Sequence, residues 1–153
     1  MLKANYSRFG FIFLIISLLS FTFDKPSSVG PVEDVLKYTN QFRKSKGLKA
    51  LEIRDDLNAI ARDHSEDMAK GRCAFGHDGY DHRVSKIKKT IKPCDGYVGE
   101  NVAYGASNGK EAVDIWKKSS AHRKNMLGDY KYIGIGTARN KKGVIYYTQI
   151  FVR

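Results

Sequence analysis

The chain has 153 residues, of which 42% are hydrophobic, and its formal net charge is +11. This length suits one hydrophobic core, so a single domain is expected rather than several. The positive charge favours anionic partners, and because no basic motif is interleaved with aromatic residues, nucleic acid is the least expected of them.

An apolar segment near the N-terminus is typical of a secretory signal. Residues 9–23 form an unbroken run of 15 apolar and small residues after the basic Lys3 and Arg8. Because a membrane-spanning helix needs ~20 residues, residues 1–23 are predicted to be a cleaved signal peptide, with an N-terminal anchor as the alternative. Residues 24–31 are then a linker and residues 32–153 the domain. We therefore expect a secreted, periplasmic or cell-envelope protein, with anionic envelope polymers or lipid headgroups as partners.

Helical periodicity dominates the first half of the domain. Apolar residues three or four positions apart predict a helix from Val32 to Lys46 and a second one that begins at Asp55 and ends before Gly71. His64 falls on the apolar face of the second helix, which favours a core residue over a ligand. Residues 73–94 are rich in glycine and lysine and predict a surface loop with room for one short helix.

Strand patterns dominate the second half. Residues 98–103 alternate weakly and predict a strand, and helical spacing resumes after Asn108, with Trp116 on the core face. Residues 132–138 and 144–152 are rich in β-branched and aromatic residues and predict a closing hairpin. This order predicts an α+β fold in which helices pack on a small antiparallel sheet.

The sequence contains two cysteines, Cys73 and Cys94. An exported chain meets an oxidising compartment, so we predict a disulfide between them, with two free thiols as the alternative. Closing this loop would contribute ~3 kcal/mol.

A series of short motifs runs in order through the domain. The motifs are Asn40-x-x-Arg43, Gly76-His77, Gly99-Glu100-Asn101-Val102-Ala103, Trp116-x-x-Ser119-x-x-His122-Arg123-x-Asn125, Ile133-Gly134-Ile135-Gly136 and Tyr147-x-Gln149-x-Phe151. Their order and spacing resemble the CAP superfamily, which is named after cysteine-rich secretory proteins, antigen five and pathogenesis-related proteins, in its short bacterial branch. The resemblance covers residues 34–152 and implies a three-layer α-β-α sandwich.

The same resemblance implies a cleft in which two histidines and one or two glutamates can hold a divalent metal, often zinc. Carried over by motif, the histidines and metal ligands are His77 and His122, and the first glutamate is Glu100. The position of the second glutamate holds Ser119, so the set of four is incomplete. Asn101 joins the cleft residues, and a strand-end amide of this kind also ties loop backbone together.

These features favour a monomeric binding or interaction module, of undetermined ligand, over an enzyme. One alternative is a zinc-dependent hydrolase with Glu100 as general base. Others are lipid or sterol binding, which the resemblance allows, and adhesion to envelope polymers. A cleft whose two histidines hydrogen-bond without metal is a further alternative. Serine hydrolysis through Ser65 or Ser119 is not favoured, because no oxyanion-hole motif accompanies them.

Overall fold

The computed structural model describes Met1 and residues 30–92, 94 and 96–153. The predicted signal peptide or anchor, and all but the last two residues of the predicted linker, lie outside this part of the chain apart from Met1. Within it, no helix combines the length and the apolar character that crossing a membrane requires.

The elements confirm the predicted mixture of helices and strands. In chain order they are α1 (Pro31–Lys44), β1 (Glu52–Ile53), α2 (Asp55–Ala69), α3 (Tyr80–Thr90), β2 (Val98–Tyr104), α4 (Gly109–Lys118), α5 (Ser120–Met126), β3 (Tyr132–Arg139) and β4 (Ile145–Val152). The loop predicted at residues 73–94 therefore contains an 11-residue helix. The helix predicted after Asn108 is followed by a second one, because the extended backbone of Ser119 ends α4 and caps α5.

Local chemistry explains where the first helix and α4 begin. Pro31 occupies the first turn of α1, where its missing N–H is no loss, and the Asn108 side chain accepts a 2.9 Å hydrogen bond from the Glu111 N–H at the start of α4. Acidic residues in the first turn of α1 and basic residues in its last turn favour the helix dipole.

The four strands form one sheet in the order β1-β3-β4-β2. β4 pairs antiparallel with β3, which confirms the predicted hairpin, and it also pairs antiparallel with β2. β1 is only two residues long and pairs with β3 in parallel. The sheet is therefore antiparallel through its three long strands and gains one short parallel edge that the sequence did not indicate.

Helices cover both faces of the sheet, which gives the predicted three layers. One face packs against α2 and α3 through a cluster formed by Leu57, Ile60, Ala61, Ile87, Ile91, Ile150 and Val152. The other face packs against α1, α4 and α5 around the fully buried Trp116. Gly134 and Gly136 of β3 let α2 lie close to the sheet, because a Cβ at either position would overlap the α2 backbone.

The outer edge of the sheet at β2 is covered by side chains. Three alternate carbonyls of β2 each accept a side-chain hydrogen bond, Val98 from Tyr80 Oη at 2.7 Å, Glu100 from Asn125 Nδ2 at 2.9 Å and Val102 from Trp116 Nε1 at 2.9 Å. These bonds hold α3, α4 and α5 against this edge. They also occupy acceptors that an added strand would need.

The predicted disulfide is not formed, since Cys73 and Cys94 are both free thiols. Cys73 lies beside the first half of α3, where it lines a cavity with Gly79 and His82. Cys94 follows the end of α3 and packs against the α2–α3 cluster. Burial raises the pKa of the Cys73 thiol.

Candidate cleft at the edge of the sheet

The sequence-predicted residues meet beside the edge strand β2. His77 lies in the loop before α3, Glu100 in β2 and His122 in α5, so all three layers contribute to the cleft. A cavity of about 270 Å³ lies beside β2 and is lined by His77, Tyr80, Val98, Gly99, Glu100 and Asn125. His122 is not one of its lining residues, but it lies close enough to His77 for the two rings to interact electrostatically.

Glu100 is the most heavily engaged residue of the cleft. Its side chain is 2% exposed, and Arg83 of α3 donates two hydrogen bonds to the carboxylate, Nε to Oε2 and Nη2 to Oε1, both at 2.7 Å. His77 Nδ1 lies 2.9 Å from the same Oε1. A guanidinium fork on a buried carboxylate is a strong, charge-assisted interaction. Both oxygens of Glu100 are therefore already occupied.

His77 is oriented by this carboxylate. An ionised carboxylate only accepts hydrogen bonds, so the neutral His77 ring carries its proton on Nδ1 and its lone pair on Nε2. The side chain is 51% exposed. The Nε2 lone pair of His77 is thus available to a ligand in the cleft, because the contact of Nδ1 with Glu100 fixes the tautomer.

His122 contributes an unsatisfied nitrogen. Among the buried side-chain polar atoms in the described part of the chain, His122 Nδ1 alone has no hydrogen-bond partner. Burial lowers the pKa of His122, and an electrostatic interaction with His77 lowers it further. Because an unpaired buried polar atom costs free energy, this nitrogen is a candidate for a ligand.

Two further predicted residues, Asn101 and Ser119, hydrogen-bond to the backbone of His122. Asn101 Nδ2 donates to the His122 carbonyl at 3.2 Å, and Asn101 Oδ1 accepts from Asn125 Nδ2 at 2.9 Å. The Ser119 hydroxyl accepts from the His122 N–H at 3.5 Å as the cap of α5. Asn101 therefore holds α5 against β2. Ser119 occupies the position at which the family resemblance would place a second glutamate, and its hydroxyl brings no charge to the cleft.

His77 and His122 interact electrostatically, but no third metal ligand is grouped with them. In residues 30–92, 94 and 96–153, no three His, Cys, Asp or Glu side chains are grouped so that they could hold a metal ion. Glu100 touches His77 but is bound to Arg83. A divalent ion here would therefore have two protein ligands, His77 and His122, and its other positions would be open to water or to a ligand.

A larger cavity of about 360 Å³ lies between α2 and α3. His64 and Arg83 line it, but His77, Glu100 and His122 do not. Three carboxylates line it, of which Asp63 is paired with Lys86 and Asp67 with Arg72, while the third belongs to Asp78. This cavity therefore adjoins the cleft at Arg83, which binds Glu100, but the His77 and His122 rings do not line it.

His64 is buried, as predicted, and its Nε2 lies 2.9 Å from the Gly76 carbonyl. The same nitrogen lies 4.0 Å from Glu100 Oε1. His64 thus holds the loop that carries His77. Neither His64 nor Arg83 was predicted to adjoin the site, because a helical stripe identifies a buried face without naming what lies against it, and Arg83 belongs to no motif.

Acid should destabilise the domain through its buried histidines. Burial lowers the pKa of His64, as it does that of His122. The unfolded chain therefore binds protons first as the pH falls through about 6.5, so this contribution to stability is complete above that pH and is lost below it. We expect the free energy of unfolding, measured with urea, to fall from pH 7.5 to 5.5, and to fall less in His64→Gln. Equal losses in the two proteins would contradict this origin.

Comparisons with known proteins agree with this architecture. The family model described as "CAP: Cysteine-rich secretory protein family" matches residues 36–151. Two relatives come from Bacillus subtilis (strain 168): the uncharacterized membrane protein YlbC, 35% identical over 129 residues, and the uncharacterized protein YkwD, 36% identical over 118. The alignments cover 79% and 75% of this chain but only 34% and 46% of the relatives.

A solved structure shows the same fold. It is an extracellular protein containing an SCP domain from Bacillus anthracis str. Ames, with a TM-score of 0.69 and 28% sequence identity. The similarity covers 81% of this chain and 40% of that protein. The chain thus spans less than half the length of these three relatives.

Proposed function

Because the chain belongs to the CAP family of cysteine-rich secretory proteins, we propose that it is an exported binding module whose cleft presents His77 and His122 to a divalent cation. Two observations together support the proposal. His122 Nδ1 is buried without a hydrogen-bond partner, and the His77 ring is oriented by the contact of its Nδ1 with Glu100. The extracellular relative from Bacillus anthracis supports export.

The donor set fits zinc. Zn²⁺ binds neutral imidazole nitrogens, and a metal-bound histidine commonly donates its other N–H to a carboxylate. His77 has this arrangement with Glu100, and the lowered pKa of His122 keeps that ring neutral at pH 7. When bound, the cation would supply a positively charged centre with open positions for an anionic ligand group.

The state of Glu100 supports binding over hydrolysis. A general base must accept a proton from water within hydrogen-bond reach. Both Glu100 oxygens already accept from Arg83, one also contacts His77, and the side chain is 2% exposed. Catalytic zinc sites usually have three protein ligands, whereas this cleft offers two imidazoles. We therefore assign Glu100 to positioning His77, and no catalytic residue to the cleft.

Zinc should stabilise the wild-type protein and not His122→Ala. A ligand that binds only the folded state at 100 times its Kd adds about 2.7 kcal/mol, which corresponds to a rise of several degrees in Tm for a domain of this size. Thermal unfolding with and without ZnCl₂ measures the shift. His82→Ala is the matched control, because His82 is exposed on α3 and lies outside the cleft.

The two variants make the test specific. We expect His82→Ala to keep the wild-type shift and His77→Ala to lose it. A zinc shift that survives in His122→Ala, or that disappears in His82→Ala, would contradict the assignment of the cation to His77 and His122.

A further inference from the structure

Three aromatic side chains, two exposed and one half-buried, form a cluster that the cleft does not use, and we call Phe75, Tyr104 and Tyr146 the aromatic platform. Tyr104 is 56% exposed and Phe75 is 48% exposed, more than any other large apolar side chain of the described residues except Met1. Their ring centroids are 4.6 Å apart, and Tyr146 stacks on Tyr104 at 5.7 Å. Exposed aromatic rings gathered in one place are typical of a binding surface.

The platform lies on the same side of the sheet as Glu100. Tyr104 and Tyr146 are directly opposite each other on β2 and β4. Because side chains alternate along a strand, Glu100 and Tyr104 share a face, and their spacing of four positions corresponds to about 13 Å. Phe75 precedes His77 by two residues. The platform therefore continues from the cleft along one surface.

Positive charge adjoins the platform. Tyr146 follows the turn between β3 and β4, which carries exposed Lys141 and Lys142. No acidic residue occurs from residue 130 to the last residue, 153. Anionic groups of a ligand seated on the rings would thus meet cations and no carboxylate from this part of the chain.

We propose that the aromatic platform binds an anionic polysaccharide, with sugar rings stacked on the aromatic faces and carboxylate or phosphate groups near the hairpin cations. Aromatic faces are electron-rich and attract the C–H groups on the face of a sugar, and the tyrosine hydroxyls can hydrogen-bond to sugar hydroxyls. A peptide is less well suited, because adding a strand needs a free sheet edge and the carbonyls of β2 are occupied by side chains. The platform needs no cation in the cleft, so this proposal is independent of the proposed function.

Calorimetric titration with polygalacturonate, an anionic polysaccharide, tests the platform. We expect the wild-type protein to bind it, and Tyr104→Ala/Tyr146→Ala to bind at least tenfold more weakly although its net charge is unchanged. Phe75→Ala provides a second, independent variant. Ile115→Ala is the control, because Ile115 is 39% exposed on α4 and lies outside the platform, and it should bind as the wild type does.

Other polymers distinguish the source of binding. Dextran, which is neutral, and poly-L-glutamate, which is an anionic peptide, should both bind more weakly than polygalacturonate. The proposal is overturned if the wild type does not bind polygalacturonate at low salt, or if both aromatic variants keep its affinity within twofold. It is also overturned if poly-L-glutamate binds as tightly with the same dependence on the rings. Thermal unfolding of each variant checks that the fold is retained.

Discussion

Replacing Arg83 by methionine should destabilise the domain by about 3–5 kcal/mol, because it leaves a buried carboxylate without its cation. Arg83 is 11% exposed, Glu100 is 2% exposed, and the two are joined by a bidentate ion pair. Arg83 Nη1 also donates to the Asp78 carbonyl at 2.6 Å, so the loop before α3 loses an anchor as well. Urea unfolding at pH 7.5 measures the loss.

Arg54→Met is the matched control for this experiment. Arg54 makes a comparable ion pair with Asp56, but the two side chains are 29% and 41% exposed, so removing the arginine should cost no more than about 1 kcal/mol. The double variant Arg83→Met/Glu100→Gln should be more stable than Arg83→Met, because it removes the unpaired charge. Equal losses in Arg83→Met and Arg54→Met would show that burial does not strengthen the Arg83–Glu100 pair.

The second large effect is expected at Gly136, where alanine should cost about 3 kcal/mol. An added Cβ would overlap the backbone of α2 at Ala61 and Arg62, and backbone cannot rotate away as a side chain can. The helix must therefore move off the sheet, which would strain the hydrogen bond from Ser65 Oγ to the Gly136 carbonyl. Overpacking of this kind typically costs 1–3 kcal/mol and occasionally more.

The adjacent Thr137→Ala is the control for Gly136→Ala. Thr137 is half-buried on the opposite face of β3, so its replacement tests strand propensity without touching α2, and we expect a loss of at most about 1 kcal/mol. Denaturant midpoints of the two variants give the comparison. If Gly136→Ala is no less stable than Thr137→Ala, the close approach of α2 to the sheet is not required.

The strength of the hydrophobic periodicity explains which elements were predictable. α2 buries six residues on one face and begins at two aspartates, so its stripe and its start are both visible in the sequence. In α3, Ile87 is the buried residue of a lysine-rich helix, and the pattern is correspondingly weak. The seven residues of α5 are too few for a periodic signal, and its boundary depends on the backbone of Ser119.

The candidate site was predictable only where motifs carry it. The resemblance placed His77 and Glu100 together, and the two side chains are in contact. It could not indicate that Arg83 binds both Glu100 oxygens, because that contact joins α3 to β2 across 17 positions. The predicted disulfide was wrong because Cys73 lines the cavity between α2 and α3, whereas Cys94 packs on the α2–α3 cluster, and the presence of two cysteines in a sequence does not indicate these surroundings.

The most direct test of the central claim is metal analysis of the purified domain, residues 30–153, after dialysis against zinc and then against metal-free buffer. The account predicts about one equivalent of zinc in the wild type and in His82→Ala, and none in His77→Ala/His122→Ala. Equal zinc content in the wild type and the double variant would contradict it.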